Sequence, residues 1–413
     1  MKIKYPERVA EWLGAEEAAR RLGVKTATLY AYVSRGILRR RRAADGRSVF
    51  DPAEIERLAR RGRPRGPRPS SELIVESSIT SLADDRPHYR GRDAVELAAS
   101  WEFERVARWL WTGTAVGDGH RDTDDASAGG PPWRASAEAV AAGRAAQSGL
   151  PDDVLPLERL QVITPALAAT DPLRLNLDPS TLVLIGQSII AGMVDCLPGE
   201  SSGDGIAARL WNKLIPGSAT PTPMLVDALR AALVLLADHE LAASTLAARV
   251  AASVRADPYG VVSTGLGVVG GPLHGGASLS AEAMLAEANG AAEAHHAVGR
   301  RLRRGDRIPG LGHTVYKSTD GRATALMDRI RAAAPDHPRL AVAEAVLAES
   351  SRRRLPGPNV EFALAVLVSV AGMVTGAGEA IFAIARTAGW LAHAMEEYAH
   401  ATPMRLRAVY IGP

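Results

Sequence analysis

From residue 71 onward, apolar and polar positions repeat with the period of an α-helix rather than that of a strand. Long segments rich in alanine and leucine, such as residues 223–254 and 362–374, are typical of helices buried in a core. His239 lies in the first of these segments, so the pattern predicts a histidine inside a long helix. Few segments have the two-residue period of a strand. The pattern therefore predicts a body that is almost entirely α-helical.

The first 60 residues have a different pattern, that of two short helices joined by a tight corner. An apolar stripe covers residues 18–22, Gly23 turns the chain, and the stripe resumes over residues 29–33. This spacing is that of a helix-turn-helix. A turn at Asp45-Gly46 then predicts a two-stranded wing, and the pair Asp51-Pro52 predicts the start of a third helix.

This arrangement resembles the winged helix-turn-helix domains of the MerR and excisionase families, and we expect it to span residues 1–60. Residues 1–69 carry 18 Lys and Arg against 8 Asp and Glu, whereas the remainder carries 31 against 38, an asymmetry that favours a nucleic-acid partner. The resemblance implies a recognition helix and a basic wing that contact DNA. The residues concerned are Lys25, Thr26, Thr28, Tyr30, Arg39 and Arg40, with Arg41, Arg42 and Arg47. The alternative is a solvated module that contacts another protein.

Composition restricts the class of protein and its compartment. The 413 residues are 46% hydrophobic and 23% charged, which is ordinary for a soluble globular protein of two or three domains. The single cysteine, Cys196, excludes an intrachain disulfide and favours a reducing compartment. Residues 362–374 form the longest apolar run, too short to span a bilayer. We therefore expect a cytoplasmic protein without a membrane partner, in which the Pro- and Arg-rich residues 61–70 form a linker.

Three polar segments interrupt the apolar helices of the second half. His274 stands among glycines in GGPLHGGA, and His313 stands among glycines in RIPGLGHTVYKSTDGRA. Glu361 follows a proline-containing loop at the start of an apolar helix. Taken one at a time, each has a purely structural explanation, since a lone histidine is often a core residue and a glutamate can stabilise a helix N-terminus.

Two other kinds of site are weakly supported. Gly265, Gly267 and Gly270 have the spacing G-x-G-x-x-G, but no strand precedes them and no acidic partner follows at the expected distance. The histidines lack the spacing of zinc ligands, and there is no second cysteine. We therefore expect no metal.

Together, the polar segments resemble those of the citrate synthase family. GGPLHGGA is similar to the family's G-P-L-H-G-G-A, GLGHTVYKSTDGRA to its G-F-G-H-R-V-Y-K-x-x-D-P-R-A, and PNVEF to its P-N-V-D-F. ARTAGWLAH and RLRAVYIG are similar to its R-x-x-G-W-x-A-H and R-P-R-x-x-Y-x-G. The resemblance runs in family order over about residues 71–413. It implies a mainly α fold, with a large helical domain formed by residues 71–277 and 377–413 and a small helical domain formed by residues 278–376.

The resemblance also implies a reaction, the condensation of acetyl-CoA with oxaloacetate followed by thioester hydrolysis to citrate and CoA, with acetyl-CoA as substrate and no other cofactor. Glu361 then occupies the position of the base, His274 stabilises the enolate oxygen, and His313 acts as the general acid toward the ketone. The positions that bind substrate carboxylates are His239, Arg322, Arg386 and Arg405. In the family the C-terminal arginine reaches the partner subunit's site, so Arg405 implies a homodimer.

Several residues depart from the family pattern. Glu361 replaces an aspartate, and the extra methylene moves the carboxylate by up to roughly 1.5 Å. A misplacement of about 1 Å can cost on the order of 10²-fold in rate. Further departures, which leave the choice of acyl-CoA open, are Leu311, Thr314, Gly321 and Leu406.

Two hypotheses about function follow. The first is an active condensing enzyme, either a citrate synthase or a 2-methylcitrate synthase-like enzyme that uses propionyl-CoA. The second is a DNA-binding transcriptional regulator in which the citrate synthase-like body senses a metabolite.

Overall fold

The protein is described by a computed structural model that divides into two units, residues 1–76 and residues 77–413. The predicted linker 61–70 and Leu406 lie outside the described residues, and the predicted boundary between a large and a small helical domain stays a prediction. The described residues are 12–34, 37–43, 45–55, 58, 75–114, 131–217, 222–316, 319–400, 402–405 and 410.

The N-terminal unit has the predicted helix-turn-helix and wing. Helix α1 (Ala15–Leu22) ends at Gly23, whose φ of +69° is the left-handed conformation that glycine adopts at little cost. Helix α2 (Thr26–Ser34) follows. Three short antiparallel strands form a sheet in the order β1-β3-β2. Their bounds are Leu13–Gly14 for β1, Arg41–Arg42 for β2 and Ser48–Phe50 for β3.

The predicted third helix also begins where expected. The backbone N–H of Ala53 donates a hydrogen bond to Oδ1 of Asp51 at 2.9 Å, and residues 52–55 are helical. Side chains from both helices, the sheet and this turn bury a small apolar core of their own. Its members are Ala18, Ala19, Leu29, Leu38, Phe50 and Ile55.

The second unit is almost entirely helical, as predicted, apart from one small antiparallel sheet, β4 (Thr80–Ala83), β5 (Arg86–Tyr89) and β6 (Arg92–Asp93). Its helices are α3 (Ala94–Ser100), α4 (Phe103–Thr112), α5 (Ala137–Ala146), α6 (Pro156–Thr170), α7 (Pro179–Cys196), α8 (Ile206–Leu214), α9 (Pro223–Leu236), α10 (Ala243–Ser253), α11 (Pro258–Val269), α12 (Ala277–Ala286), α13 (Ala294–Arg304), α14 (Gly321–Ala333), α15 (Pro338–Arg352), α16 (Val360–Ala371) and α17 (Ala377–Ala399).

Helix α17 forms the centre of this unit. It is buried along almost its whole length and packs against α4, α6, α7, α9, α10 and α11. Most of its side chains are apolar, which suits an interior position, and the charged Arg386 is buried with them. Helix α7 is also long and apolar enough to cross a membrane by length and composition, but it is 61% buried in the protein, and a core helix passes the same test.

The prediction of one long helix over residues 223–254 is wrong, because α9 ends at Leu236 and α10 begins at Ala243. His239 therefore lies in a turn, next to Glu240 with a φ of +53°. Tertiary contacts stabilise the break by satisfying carbonyls at the end of α9. Nε of Arg386 donates to the Leu236 carbonyl at 2.9 Å, and the N–H of Gly389 donates to the Ala237 carbonyl at 2.9 Å.

Of the glycines with the G-x-G-x-x-G spacing, Gly265 is explained by the packing of α11 against α17. A Cβ on Gly265 would lie 2.5 Å from the indole of Trp390, whereas a Cβ on the exposed Gly267 would meet nothing within 4 Å.

We expect Gly265→Ala to lower the free energy of unfolding by about 1–3 kcal/mol through overpacking. The matched control Gly267→Ala should leave it unchanged or raise it by up to about 1 kcal/mol. Urea unfolding measures both, and equal stability of the two variants would contradict this explanation.

Candidate active site

Two of the predicted histidines lie side by side. The ring centroids of His239 and His313 are 5.4 Å apart, and Tyr316 packs against both rings. Nε2 of His239 forms a 2.7 Å hydrogen bond with the hydroxyl of Tyr316. Burial, together with the charges of Arg322 and Arg386, lowers the pKa of His239 well below its ordinary value. His239 is therefore a neutral imidazole at pH 7.

The loop that carries His313 is fixed against the loop before Glu361. The N–H of Gly312 donates to the Gly357 carbonyl at 2.8 Å, and the N–H of Asn359 donates to the Gly310 carbonyl at 2.9 Å. Gly310 has a φ of +77°, and a Cβ there would lie 2.7 Å from Cβ of Phe362. Glycine is required at this position because the two loops approach so closely.

The backbone decides which nitrogen of His313 carries the proton. Nδ1 accepts hydrogen bonds from the N–H groups of Val315 at 3.0 Å and Tyr316 at 3.3 Å. The neutral ring must then carry its proton on Nε2. Burial, with the charge of Arg322, lowers the pKa of His313, so this neutral tautomer predominates at pH 7.

Asp320 connects Arg322 to the start of the Glu361 helix. Its carboxylate accepts from Nε and Nη2 of Arg322 at 3.0 and 2.9 Å and from the backbone N–H of Val360 at 2.9 Å. Both members of the ion pair are buried. Although burial opposes the charges, each group stabilises the other, so the pKa of Arg322 is raised and that of Asp320 is lowered. Arg322 also lies 5.2 Å from the ring centroid of Tyr316.

Arg386, on α17, is buried without a carboxylate partner. It is 1% exposed, donates to the Leu236 carbonyl, and stacks on Phe382 at 4.6 Å, but it forms no ion pair with a described residue. Burial lowers its pKa, and the charges of Asp238 and Glu361 partly oppose that shift. A buried guanidinium without an ion-pair partner favours the binding of an anion beside it.

His274 is held by a serine on the neighbouring helix. Its Nε2 lies 2.7 Å from the hydroxyl oxygen of Ser244, which also accepts from the indole N–H of Trp390 at 3.2 Å. The His274 ring packs edge-on against Phe382, the residue that Arg386 covers. Burial and the charge of Arg386 lower the pKa of His274 to about 4.

The glycines around His274 have a local structural explanation. A Cβ on Gly275 would lie 2.7 Å from the Val269 carbonyl oxygen, and a Cβ on Gly276 would lie 3.0 Å from that of Gly271. The turn between α11 and α12 folds back on its own backbone, so there is no room for a side chain at Gly275 or Gly276. This packing fixes the position of the one imidazole that the turn carries.

Glu361 lies in the first turn of α16, as predicted, with its charged end directed inward. Its Oε2 is buried and forms no hydrogen bond with a described residue. Burial raises the pKa of Glu361, while Arg322 and Arg386 act against that rise. An unpaired, partly desolvated carboxylate is the state expected of a general base.

The structure thus brings together six of the seven predicted catalytic and carboxylate-binding residues. A cavity of 420 Å³ opens beside His313, Tyr316 and Asp320. Arg405 is exposed and forms no hydrogen bond or ion pair with the other six, so its predicted role in a partner subunit's site stays a prediction. No group of three or more His, Cys, Asp or Glu side chains in the described ranges is arranged to hold a metal ion.

The sequence analysis missed four residues that position this cluster. Ser244 and Trp390 hold His274, Tyr316 holds His239, and Asp320 holds Arg322. Tyr316 and Asp320 lie in the same sequence segment as His313, so that segment was a usable signal. Nothing in the sequence connects Ser244 with His274, 30 residues away.

Comparison with known proteins shows the family of the chain. The sequence matches the family described as citrate synthase, C-terminal domain, over residues 70–407, and a helix-turn-helix domain over residues 12–63. It is 28% identical over 373 residues to citrate synthase 2 of Bacillus subtilis, covering 83% of this chain and 94% of that one. It is 27% identical over 339 residues to 2-methylcitrate synthase of Mycobacterium tuberculosis, covering 78% and 84%.

Solved structures give the same fold. Citrate synthase from Thermotoga maritima aligns with a TM-score of 0.68 and 25% identity, over 83% of this chain and 94% of that one. A citrate synthase from Thermoplasma acidophilum, solved with carboxymethyl coenzyme A and oxaloacetate, aligns with a TM-score of 0.68 and 23% identity, over 83% and 95%.

The Asp320–Arg322 pair should be essential for stability. We expect Asp320→Asn to lower the free energy of unfolding by about 3–5 kcal/mol, because it leaves the buried guanidinium of Arg322 without a counter-charge. The matched control is Asp328→Asn on the same helix, whose side chain is 64% exposed and pairs with Arg331. That variant should change stability by no more than about 1 kcal/mol. Similar losses in both, measured by urea unfolding, would contradict the assignment.

Proposed function

Since the chain belongs to the citrate synthase family, we propose that it condenses acetyl-CoA with oxaloacetate and then hydrolyses the citryl thioester to citrate and CoA. The family membership establishes an enzyme of the citrate synthase type. The choice of acetyl-CoA and oxaloacetate as the substrates is proposed from the residues of the site. No group other than the substrate acetyl-CoA is needed as a cofactor in this scheme.

The buried, unpaired Arg386 is the single observation that supports the proposal most strongly. Arg322 already has Asp320 as its counter-charge, whereas Arg386 forms no ion pair with a described residue. His239 lies within range of both guanidiniums, since both lower its pKa. A dicarboxylate such as oxaloacetate satisfies these groups, and a planar guanidinium binds a carboxylate through two parallel hydrogen bonds.

The neutral histidines suit the two oxygens that change charge in the condensation. His313 carries its proton on Nε2 and can donate it to the ketone oxygen of oxaloacetate as that oxygen becomes an alkoxide. His274 forms no described hydrogen bond through Nδ1, which leaves that nitrogen free for the thioester oxygen. If the Ser244 hydroxyl donates to Nε2, then Nδ1 carries the proton and stabilises the enolate.

In this scheme Glu361 is the base. Its carboxylate removes a proton from the methyl carbon of acetyl-CoA, and that carbon then forms a bond to the ketone carbon of oxaloacetate. The ketone oxygen takes a proton from His313, and water afterwards cleaves the thioester and releases CoA. The extra methylene relative to the family's aspartate displaces the carboxylate by up to roughly 1.5 Å, so we expect slow turnover.

Substitution of Glu361 tests the assignment. We expect Glu361→Gln to lower kcat at least 100-fold, on the order of the loss when a general base is removed. Glu361→Asp should raise kcat, on the order of tenfold or more, if it restores the alignment of the carboxylate. Release of CoA thiol with acetyl-CoA and oxaloacetate measures both, and parallel assays with propionyl-CoA test 2-methylcitrate synthase-like activity. The control is the exposed Glu138→Gln.

Two results would contradict this role for Glu361. One is unchanged kcat in Glu361→Gln with CoA release intact. The other is the absence of CoA release at high enzyme concentration while calorimetry still detects oxaloacetate binding, which would favour a sensor.

Burial raises the pKa of Glu361 above the ordinary 4.5. In an active enzyme, kcat should fall as the pH is lowered through this pKa, because the protonated acid cannot act as a base.

A second function, DNA binding by the N-terminal unit, is favoured by specific exposed residues. Lys25, Thr26 and Tyr30 are exposed at the start of α2, and Thr28 is half-buried beside them. Arg39, Arg40, Arg41 and Arg42 are also exposed, and none of them forms an ion pair with a described residue. Arg47 differs, because its guanidinium lies 2.7 Å from the carboxylate of Asp45. We propose that α2 enters the major groove while the arginines contact phosphates.

The salt dependence of DNA binding tests this second function. For the full chain and a DNA duplex, we expect the double variant Arg40→Gln/Arg41→Gln to reduce the slope of log K against log [salt] by about two. The control Arg20→Gln removes an exposed charge on α1 that already pairs with Glu17. An unchanged slope in the double variant, or no binding at low salt by the unaltered chain, would overturn the proposal.

For the citrate synthase-like enzyme, we also propose a cytoplasmic location and a homodimer in which Arg405 reaches the partner subunit's site.

A further inference from the structure

A line of buried polar side chains lies next to the candidate active site, and the reaction proposed above uses none of them. It runs from Asp238, the sequence neighbour of His239, through His393 on α17 to Arg249 on α10. Each of the three is at most 1% exposed. A buried charge is costly unless it is paired, so the partners of each group indicate what it stabilises.

Arg249 is fully paired at the far end of this line. Its Nε donates to Oε1 of Glu397 at 2.7 Å, and its Nη1 donates to Oε2 of Glu396 at 2.7 Å. Nη1 also donates to Nδ1 of His393 at 2.8 Å. Because a guanidinium can only donate, Nδ1 accepts, and the neutral ring carries its proton on Nε2. The charge of Arg249 is therefore compensated by two glutamates.

The protonated nitrogen of His393 is directed at Asp238. Nε2 lies 3.3 Å from Oδ2 of the carboxylate. This hydrogen bond stabilises the ionised carboxylate, but a neutral imidazole supplies no counter-charge. Asp238 forms no ion pair with a lysine or arginine among the described residues. It is thus a buried anion, just as Arg386 is a buried cation.

The carboxylate of Asp238 packs against the face of α17 that carries Arg386. Residues 386, 389 and 393 share this face, because they are three and four positions apart. A Cβ on Gly389 would lie 2.2 Å from Oδ1 of Asp238, so glycine is required there to make room for the carboxylate. Burial lowers the pKa of Arg386, and the charge of Asp238 is the one that most opposes this shift.

The turn that contains Asp238 is fixed by contacts that do not involve its carboxylate. The hydroxyl of Tyr89 lies 3.0 Å from the Val234 carbonyl and 3.2 Å from the Asp238 carbonyl, and it accepts from the N–H of Asp238 at 3.3 Å. Arg386 and Gly389 bind the two preceding carbonyls. The position of His239 therefore does not require the charge of Asp238.

We propose that Asp238 is a positioning residue that supplies a counter-charge to Arg386 before substrate binds and thereby limits the affinity for oxaloacetate. A substrate carboxylate at Arg386 competes with this internal negative charge. The substrate is then not held more tightly than turnover allows. The inference rests on the proposed function, because it takes oxaloacetate as the ligand of Arg386.

Oxaloacetate titrations of the full chain by calorimetry test the proposal. We expect Asp238→Asn to bind oxaloacetate about tenfold more tightly, because asparagine keeps the shape of the side chain and removes the competing charge. Without ligand, the same variant should unfold at lower urea concentration, since the buried guanidinium loses its counter-charge. A purely structural role for Asp238 predicts the opposite change in affinity, namely weaker binding.

The matched control is Asp195→Asn. The Asp195 carboxylate binds Nη1 of the buried Arg209 with both oxygens at 2.6 Å, and Arg209 is not one of the candidate site residues. This variant should also lose stability, but its affinity for oxaloacetate should equal that of the unaltered chain.

His393 provides a second test, which decides the matter if Asp238→Asn does not fold. Glutamine can accept from Arg249 and donate to Asp238, whereas leucine can do neither. We expect His393→Gln to keep the affinity for oxaloacetate. His393→Leu should bind roughly threefold more tightly, because a buried carboxylate without its donor is more easily protonated and loses its charge.

Equal or weaker binding by Asp238→Asn, or equal affinities of the two His393 variants, would overturn the proposal. The titrations do not depend on CoA release, so a chain that binds oxaloacetate without condensing it would contradict the proposed reaction alone. If the unaltered chain binds no oxaloacetate, the role of Asp238 and the choice of substrate are both wrong.

Discussion

The burial of two guanidiniums in the second unit is the constraint on which the site depends. A charged group taken out of water costs several kcal/mol unless a partner replaces the lost hydration. Arg322 has Asp320 as that partner, but Arg386 has only a backbone carbonyl and an aromatic face. The guanidinium of Arg386 is therefore a buried positive charge that forms no ion pair with a described residue. Burial, with the charge of Arg386, lowers the pKa values of His239 and His274, which keeps both imidazoles neutral.

The positions of the reacting groups follow from backbone contacts between distant segments. Asp320 binds both Arg322 and the N–H of Val360, so one side chain fixes Arg322 and the helix of the proposed base. Asn359 caps that helix and also donates to the Gly312 carbonyl beside His313. The loop that carries His313, the proposed acid, is thus hydrogen-bonded to the loop that precedes Glu361, the proposed base. These hydrogen bonds limit the variation in the distance between the two side chains.

The N-terminal unit is organised differently. Six side chains form its buried core, and its exposed arginines are mostly free of carboxylate partners. A small core suits a domain that presents a charged surface rather than one that encloses a substrate. Positively charged side chains thus lie in two environments. In the first unit the arginines are exposed to water, and in the second unit Arg322 and Arg386 are buried.

The sequence by itself determined the helical class of the body and the helix-turn-helix with its wing, because helical periodicity and capping residues are local properties, and its contiguous motifs predicted which residues form the site. It did not determine the break of the helix at His239, which depends on Arg386 and Gly389 binding carbonyls about 150 residues away. Nor did it determine the Ser244–His274 contact or the tautomer of His313. Those depend on which groups lose water and which partners replace it, and only the packed tertiary structure decides that.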